Sequence, residues 1–379
     1  MNLSRSNSQI GLDGFDTSMD DIRIEKYEAL IPPQILQMQV PLSDVSKSVV
    51  SKGRSDAIKV INKTDDRLLV IVGPCSIHDP KAALEYAKLL VTAAKIYKNE
   101  LVIIMRAYFE KPRTTVGWKG LINDPSLNDT YDINRGLGIA RNLLASITEL
   151  GLPVGCELLD TISPQFLGDM FSWGAIGART TESQLHRELA SGVSFPVGFK
   201  NGTNGNVNIA VDAIISASHR HTFLGVTKLG LAAINSTKGN PNCNIILRGG
   251  SDGPNYSPEK IANYRAQISK SNIIDSLMVD FSHGNSEKNH LNQQKVCDSI
   301  SEQISNGDFS ITGVMIESNI NEGRQNLPNI DHSTEERPSN VIDSLKYGVS
   351  VTDACVSWSQ TLPMLDQLAN AIKQRRLHN

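Results

Sequence analysis

The sequence predicts an α/β fold, a (β/α)8 TIM barrel with an N-terminal extension and an inserted β-hairpin. From Leu68 onward, eight short apolar runs each end in polar or charged residues, as buried parallel strands do. Stretches with helical periodicity fill most of the gaps between these runs. Eight strands that alternate with helices over this length favour a closed barrel over a doubly wound sheet.

The predicted strands are identified by the residues at which they end. In chain order they are LLVIVGPCS to Ser76, LVIIMR to Arg106, LPVGCE to Glu157, GAIGAR to Arg179, FPVGFK to Lys200, NIILR to Arg248, LMVDFSH to His283 and GVMIE to Glu317. The predicted helices include Pro80 to Lys95, Asn134 to Leu150, Pro258 to Ser269 and Asn289 to Ile304. Because the carboxyl ends of barrel strands face one mouth, residues at these ends should converge there.

Three segments do not follow this alternation. Thr222 to Thr227 and Leu229 to Ile234 predict a hairpin at about 222–235, outside the barrel. Residues 1–66 predict an extension with a flexible start that makes oligomer and regulatory contacts, and residues 67–379 predict the catalytic barrel domain. Residues 326–340 contain two prolines and several charges, and we expect them to form a loop over the mouth.

Composition argues against several classes of protein. A formal net charge of −3 over 379 residues disfavours broad affinity for nucleic acid, which needs a surplus of Lys and Arg. No run approaches the roughly 18 apolar residues of a membrane span, and the amino terminus lacks the apolar core of a signal peptide. Five widely spaced cysteines without a CxxC pair fit a reducing compartment. We therefore expect a cytoplasmic protein with neither a membrane nor a nucleic-acid partner.

Potential metal ligands stand at the ends of three strands and in the loop after the last one. They are Cys75, His283, Glu317 and Asp353. A thiolate, an imidazole and two carboxylates fit one divalent transition ion such as Mn, Fe, Co or Zn better than Mg or Ca. Alternatively, Cys75 is a small buried apolar residue and His283 a hydrogen-bonded core histidine. Convergence of four such ligands at one mouth favours the metal site.

Cations form a second group at or just beyond the strand ends. They are Arg106, Lys111, Arg113, Arg179, Lys200 and Arg248. Six cations in one mouth would repel each other unless anions neutralise them, so we expect ligands with more than one negative group, such as two phosphorylated substrates. Structural ion pairs with Glu110, Glu157 and Glu182 are the alternative.

Longer blocks of sequence make the pattern more specific. They are GPCSIHD (73–79), MRAYFEKPRTTVGWKGLINDP (105–125), GARTTESQLHRELASG (177–192), GFKNGT (198–203), ILRGG (246–250), DFSHGNS (280–286) and ESNINEGRQ (317–325). Together they resemble the signature blocks of the class I 3-deoxy-D-arabino-heptulosonate 7-phosphate (DAHP) synthases. The resemblance covers nearly the whole chain from about residue 20.

This resemblance implies a transferase that condenses phosphoenolpyruvate with D-erythrose 4-phosphate and water to DAHP and phosphate, the first step of the shikimate pathway of aromatic amino acid biosynthesis. It implies one divalent transition metal ion per subunit, bound by Cys75, His283, Glu317 and Asp353. Phosphoenolpyruvate would be held by Arg106, Lys111, Arg179, Lys200 and Arg248, with Glu157 nearby. The aldose phosphate would be held by Lys111, Pro112, Arg113 and Thr114. The predicted catalytic residues are Lys111, Cys75 and His283, with Lys111 as donor of a proton or hydrogen bond to the new alkoxide.

The resemblance also implies feedback inhibition by an aromatic amino acid. The effector would bind around Pro164, Gln165, Ser194, Phe223 and Gly225. Where phenylalanine-sensitive relatives carry serine, Gly225 leaves room for a phenolic hydroxyl, so we predict tyrosine as the inhibitor; alternatively, Gly225 serves only the backbone geometry of the hairpin. The extension is expected to dock on a neighbouring subunit of a homo-oligomer, a dimer or a tetramer.

Two other functions compete with this interpretation. Another metal-dependent phosphosugar barrel, such as a class II type aldolase, would not need so many carboxylate- and phosphate-binding cations. A non-catalytic phosphosugar or amino-acid sensor on the same scaffold would not need an intact set of metal ligands.

Overall fold

A closed barrel of eight parallel strands forms the centre of the computed structural model, which describes residues 20–271, 273–330, 338 and 341–378. The strands, of which β6 and β7 form a separate hairpin, are β1 Leu68–Gly73, β2 Leu101–Arg106, β3 Val154–Glu157, β4 Trp173–Ile176, β5 Val197–Lys200, β6 Thr222–Val226, β7 Ala232–Ser236, β8 Cys243–Leu247, β9 Leu277–Asp280, β10 Ile311–Asn319 and β11 Val356–Ser357. The barrel order is β1-β2-β3-β4-β5-β8-β9-β10, and β10 pairs with β1 to close it. The predicted (β/α)8 barrel is confirmed.

The α-helices of the described residues lie before, between and after the strands. They are α1 Pro33–Gln39, α2 Asp44–Ile61, α3 Pro80–Ile96, α4 Ile133–Glu149, α5 Ser163–Leu167, α6 Gln184–Gly192, α7 Asn208–Ser218, α8 Pro258–Ile268, α9 Gln293–Ser305 and α10 Trp358–Arg375. Proline is the first residue of α3 and α8, and each follows a residue, Asp79 or Ser257, whose side chain accepts a backbone N–H of the first turn. A turn of 3-10 helix over His290–Asn292 precedes α9, so the α-helix begins four residues after the predicted Asn289.

The carboxyl ends of β1 and β2 approach each other closely. Every residue of both strands is buried, and they are mostly Leu, Val and Ile, as strands covered on both faces require. Gly73 ends β1 with φ +155°, and a Cβ there would lie 2.6 Å from the carbonyl oxygen of Arg106. Only glycine therefore lets the two strand ends come together at this point.

Helix α2 lies across the amino-terminal ends of the barrel strands. Its Ala57, Val60 and Ile61 are buried in the hydrophobic core. A Cβ on Gly53 would lie 2.6 Å from side-chain atoms of Pro153 and of Ser172, which directly precede β3 and β4. This end of the barrel is thus closed by a helix from the segment predicted as an extension, and the domain boundary at residue 66 stays a prediction.

The predicted hairpin is present as the antiparallel pair β6 and β7. Its second strand begins three residues later than predicted because the turn is longer. Thr227 N donates to Leu231 O at 2.9 Å and Gly230 N donates to Thr227 O at 3.0 Å, with Gly230 at φ +78°. The expected flexibility of the chain start concerns residues 1–19, and most of the expected mouth loop concerns residues 331–337, 339 and 340; both lie outside the described residues.

Within the described part of the chain, no helix combines the length and the hydropathy needed to cross a membrane.

Candidate active site and a second cavity beside the hairpin

A cavity of about 670 Å³ opens at the carboxyl ends of the barrel strands, and we call it the mouth cavity. Eight predicted substrate-binding residues line it: Lys111, Pro112, Arg113, Thr114, Glu157, Arg179, Lys200 and Arg248. His283, Glu317 and Asp353 line the same cavity. Arg106 and Cys75, whose side chains are buried, do not line it. The structure therefore gathers at one mouth residues that lie as far as 242 positions apart in sequence, from Lys111 to Asp353.

Arg106, at the end of β2, forms a fully buried ion pair with Glu317. Its Nη2 donates to Glu317 Oε1 at 2.7 Å, and each side chain is 1% exposed. Its Nε donates to Pro74 O at 3.0 Å, and its guanidinium stacks 3.6 Å from the ring centroid of Tyr108. Burial alone would raise the pKa of Glu317, but Arg106, His283 and Lys111 outweigh it and hold that pKa below its ordinary value. Glu317 is therefore ionised.

Lys200 forms a second buried ion pair with Asp280. Lys200 Nζ lies 3.0 Å from Asp280 Oδ2, and Asp280 also accepts the backbone N–H and the hydroxyl of Ser282. His283 Nδ1 lies 3.0 Å from Asp280 Oδ2 as well. Burial opposes ionisation of Asp280, but Lys200 and His283 keep its pKa well below the ordinary value. Asp280 was not assigned a role from sequence, although its place at the end of β9 was a usable signal.

Four of the predicted cations of the mouth cavity lack such pairing within the described part of the chain. Among the described residues, no carboxylate is close enough to form an ion pair with Lys111, Arg113, Arg179 or Arg248. The alternative of structural ion pairs therefore applies to Arg106 and Lys200, whose partners are Glu317 and Asp280, and to none of these four cations among the described residues. Unpaired guanidinium and ammonium groups in one concave site are suited to bind phosphate and carboxylate.

Lys111 is held in place by its loop and by a ring. Its backbone N–H donates to Lys119 O at 2.8 Å, and Gly120, at φ +120°, lies where a Cβ would come within 2.1 Å of Phe109 O. Its ammonium lies 5.2 Å from the ring centroid of Tyr108. Burial lowers the pKa of Lys111, but the acidic groups of its surroundings outweigh burial and raise it overall. Lys111 is therefore protonated and available as a donor.

Three of the four predicted metal ligands come together on one side of the mouth cavity. One ligand atom each of Cys75, Glu317 and Asp353 lies within 4.8 Å of the other two. Burial and the charge of Glu317 raise the pKa of the Cys75 thiol. A cation at this position would reverse that effect, and a thiolate with two carboxylates is a mixed soft and hard donor set that fits a divalent transition ion.

His283 lies outside that three-residue cluster but lines the same cavity. Its backbone has φ +60°, a left-handed conformation that is uncommon for a residue with a side chain. Its Nδ1 faces Asp280 Oδ2, which leaves Nε2 as the free ring nitrogen. Metal-binding histidines commonly donate their other N–H to a carboxylate in this way. Its role as a ligand stays a prediction.

A second cavity, of about 750 Å³, lies between α5, α6 and the hairpin, and we call it the hairpin cavity. All five predicted effector residues line it: Pro164, Gln165, Ser194, Phe223 and Gly225. Its wall also includes Leu185, Leu189 and Phe195, and the charged residues Arg54, Asp169 and Lys228. Apolar walls with a few charged groups suit an aromatic amino acid.

A hydrogen bond joins two buried residues that are next in sequence to residues of the two cavities. Ser163 Oγ donates to Glu110 Oε2 at 2.8 Å, and Glu110 is only 6% exposed. Ser163 begins α5 next to Pro164 of the hairpin cavity, while Glu110 precedes Lys111 of the mouth cavity. Burial, the largest cause, raises the pKa of Glu110 to about 7.

Comparisons with known proteins agree with the resemblance found in the sequence. A model of the DAHP synthetase I family matches residues 39–365. The tyrosine-inhibited phospho-2-dehydro-3-deoxyheptonate aldolase of Schizosaccharomyces pombe is 57% identical over 358 residues, which is 94% of each chain. The protein of the same name from Candida albicans is 56% identical over 362 residues, 95% of this chain and 96% of that one.

A solved structure gives the same result for the fold. The phospho-2-dehydro-3-deoxyheptonate aldolase of Francisella tularensis SCHU S4 is 50% identical, and the match covers 93% of this chain and 99% of that chain. The TM-score between the two structures is 0.87.

Proposed function

The chain belongs to the DAHP synthetase I family and is a DAHP synthase, and we propose that the residues of its mouth cavity carry out the reaction. The enzyme condenses phosphoenolpyruvate with erythrose 4-phosphate and water to DAHP and phosphate, and aromatic amino acids inhibit it by feedback. The observation that supports our assignment is one cavity in which four predicted cations have no ion-pair partner among the described residues, beside a cluster of three potential metal ligands. A non-catalytic sensor would not need the metal ligands, and a class II type aldolase would not need so many cations.

We assign the anionic groups of the two substrates to the cations of the mouth cavity. Arg179, Arg248 and Lys200, with Arg106 beneath them, would hold the phosphate and carboxylate of phosphoenolpyruvate. The segment from Lys111 to Thr114 would hold the phosphate of erythrose 4-phosphate. The forked donors of arginine suit both phosphate and carboxylate, and fixed anchors at each end bring the reacting carbons together.

The metal ion would be bound by Cys75, Glu317 and Asp353, with His283 as the fourth ligand. When bound, such an ion acts as a Lewis acid that polarises the aldehyde oxygen of erythrose 4-phosphate. The donor set favours Mn, Fe, Co or Zn. Arg106 keeps Glu317 ionised, and Asp280 fixes the ring of His283, so both would prepare ligands before the ion arrives.

Lys111 would supply the proton. As carbon 3 of phosphoenolpyruvate bonds to the aldehyde carbon, the aldehyde oxygen gains negative charge, and the protonated Lys111 ammonium can donate to it. Water then adds to carbon 2, where positive charge has developed, and the resulting phosphohemiketal expels phosphate. The unpaired arginines would hold the departing phosphate.

The assignment is tested by measuring phosphate release with each substrate alone and with both together. Lys111→Met should lower kcat by about 100-fold or more, within the usual range for general acid catalysis, with little change in the stability of the fold. Lys119→Met is the matched control, because Lys119 is exposed in the same loop. Near-normal turnover of Lys111→Met would refute the role of Lys111, and phosphate release without erythrose 4-phosphate would refute the condensation.

We further propose tyrosine as the inhibitor, bound in the hairpin cavity. The cavity contains the five residues predicted for the effector, and the two relatives described above are named tyrosine-inhibited. Titration of the metal-loaded enzyme with tyrosine, phenylalanine and tryptophan tests this, and stronger inhibition by phenylalanine would refute it.

We also propose a cytoplasmic location and a homo-oligomer. Five buried, free cysteines fit the cytoplasm, and a homo-oligomer is expected because the hairpin exposes Leu224 and Ile234.

A further inference from the structure

We infer that Asn235 is the residue of the hairpin cavity that distinguishes tyrosine from phenylalanine. This inference rests on the proposed inhibition by tyrosine and names the group that recognises the phenolic hydroxyl. It follows from the two faces of the hairpin, from the position of the Asn235 carboxamide over Gly225, and from the lack of a partner for that carboxamide.

The alternation of side chains places Asn235 on the cavity face of the hairpin. Phe223, Gly225 and Asn235 are half-buried and line the hairpin cavity. Leu224, by contrast, is 87% exposed and Ile234 is 75% exposed, although both also line part of the cavity. Phe223 pairs directly with Asn235 across the two strands, so the ring and the carboxamide lie side by side.

The carboxamide of Asn235 occupies the place that a side chain at position 225 would take. A Cβ on Gly225 would lie 2.1 Å from Asn235 Nδ2 and 2.9 Å from Asn235 Cγ. The space beside Gly225 is thus filled by a hydrogen-bonding group and is not an empty slot. Any larger residue at 225 would push this group away from its position, which gives the glycine a function beyond backbone geometry.

The carboxamide is also free to bind a ligand. It makes no hydrogen bond to any other described residue, and it offers both a donor and an acceptor. Phe223, Leu189 and Phe195 in the same walls suit an aromatic ring, but none of these three side chains can form a hydrogen bond with a hydroxyl. A bound phenol needs such a partner, whereas phenylalanine would cover the amide and leave it unpaired.

The test compares inhibition of the metal-loaded enzyme by tyrosine and by phenylalanine. Asn235→Leu keeps the size and branching of the side chain and removes its hydrogen-bonding groups. We expect the concentration of tyrosine for half-inhibition to rise about fivefold to tenfold, the effect of one neutral hydrogen bond, while that of phenylalanine stays constant or falls. The uninhibited kcat and both KM values should not change. Ala232→Ser, at an exposed position of β7 that does not line the cavity, is the control and should change neither value.

A second variant tests the geometry separately. Gly225→Ala should raise the half-inhibitory concentration of tyrosine in the same way, because the methyl group displaces the carboxamide. In an Asn235→Ala background, Gly225→Ala should then have no further effect on the ratio of the two inhibitors. The rise of the melting temperature caused by each amino acid gives the same comparison without catalysis, and Asn235→Ala, which also has no hydrogen-bonding group, replaces Asn235→Leu if the latter does not fold.

The outcomes separate this inference from the proposed function. An unchanged ratio of tyrosine to phenylalanine inhibition in Asn235→Leu would overturn the inference while inhibition by tyrosine stands. An equal loss of both inhibitions would overturn it too, because Asn235 would then support only the shape of the cavity. A wild-type enzyme that tyrosine does not inhibit would instead refute the proposed regulation.

Discussion

Replacement of Glu110 by glutamine should make the enzyme more stable at alkaline pH. Glu110 is 6% exposed, and its one hydrogen bond from a side chain comes from Ser163 Oγ at 2.8 Å. Burial, with the nearby charge of Asp160, raises the pKa of its carboxyl group from 4.5 to about 7. Glutamine preserves the acceptor oxygen for Ser163 but cannot ionise.

The magnitude follows from the two pKa values. The folded protein binds more protons than the unfolded chain between pH 4.5 and 7, so the free energy of unfolding falls as pH rises through this range. A difference of about 2.5 pKa units at about 1.4 kcal/mol each corresponds to about 3 kcal/mol, lost in full above pH 7. The free energy of unfolding of Glu110→Gln should therefore equal that of the wild type near pH 4.5 and exceed it by up to about 3 kcal/mol at pH 8.

Urea unfolding of both proteins at several pH values measures this difference. All other titrating groups are shared, so the difference between the two curves isolates Glu110. Glu302→Gln, an exposed carboxylate on α9, is the control and should give a difference near zero at every pH. A difference for Glu110→Gln that is independent of pH, or one that grows towards acid, would refute the reasoning.

Further predictions concern the barrel mouth. Adding Mn²⁺ to protein from which a chelator has removed metal should raise the melting temperature. Asp353→Asn should make that rise smaller, and the measurement does not depend on catalytic activity. Lys200→Met should destabilise the protein by up to about 3–5 kcal/mol in urea unfolding because the buried Asp280 carboxylate loses its ion pair with Lys200 and keeps only its contacts with Ser282 and His283, and adding Asp280→Asn should restore part of the loss. Tyr108→Phe should leave the free energy of unfolding equal or higher, since the buried hydroxyl has no partner among the described residues; KM for phosphoenolpyruvate should not change because the ring face over Arg106 remains.

The barrel and the convergence of its mouth residues could be predicted from the sequence because both follow from local pattern. Apolar runs such as LVIIMR form strands, and parallel strands in a barrel place their carboxyl ends at one mouth. Arg179 and His283 lie three residues beyond their strands, yet they still line the cavity, because loops that leave the strand ends stay at that mouth. Exact strand boundaries were therefore not needed to assemble the site.

Contacts between side chains of different strands could not be predicted in this way. Nothing local to Lys200 indicates that Asp280, which lies 80 residues away, neutralises it. The stacking of Arg106 on Tyr108 depends on the side-chain conformation at the end of β2, and the position of Asn235 over Gly225 depends on hairpin register. The start of the second hairpin strand was predicted three residues too early because the turn after Thr227 is longer than the pattern around Lys228 and Gly230 suggested.

The predicted cations of the mouth divide into two classes, which explains how the site can be stable and still bind anions. Arg106 and Lys200 are buried, and each is neutralised by a carboxylate that in turn faces the metal cluster or His283. Arg113, Arg179 and the half-buried Arg248 have no such partner among the described residues and keep their charge for the substrates. If every cation were paired, the cavity would bind phosphate weakly; if none were, burial of Arg106 and Lys200 would cost several kcal/mol each. Ion pairing with buried carboxylates therefore stabilises Arg106 and Lys200, which can still donate to phosphoenolpyruvate, whereas the unpaired cations keep their full charge for the substrates.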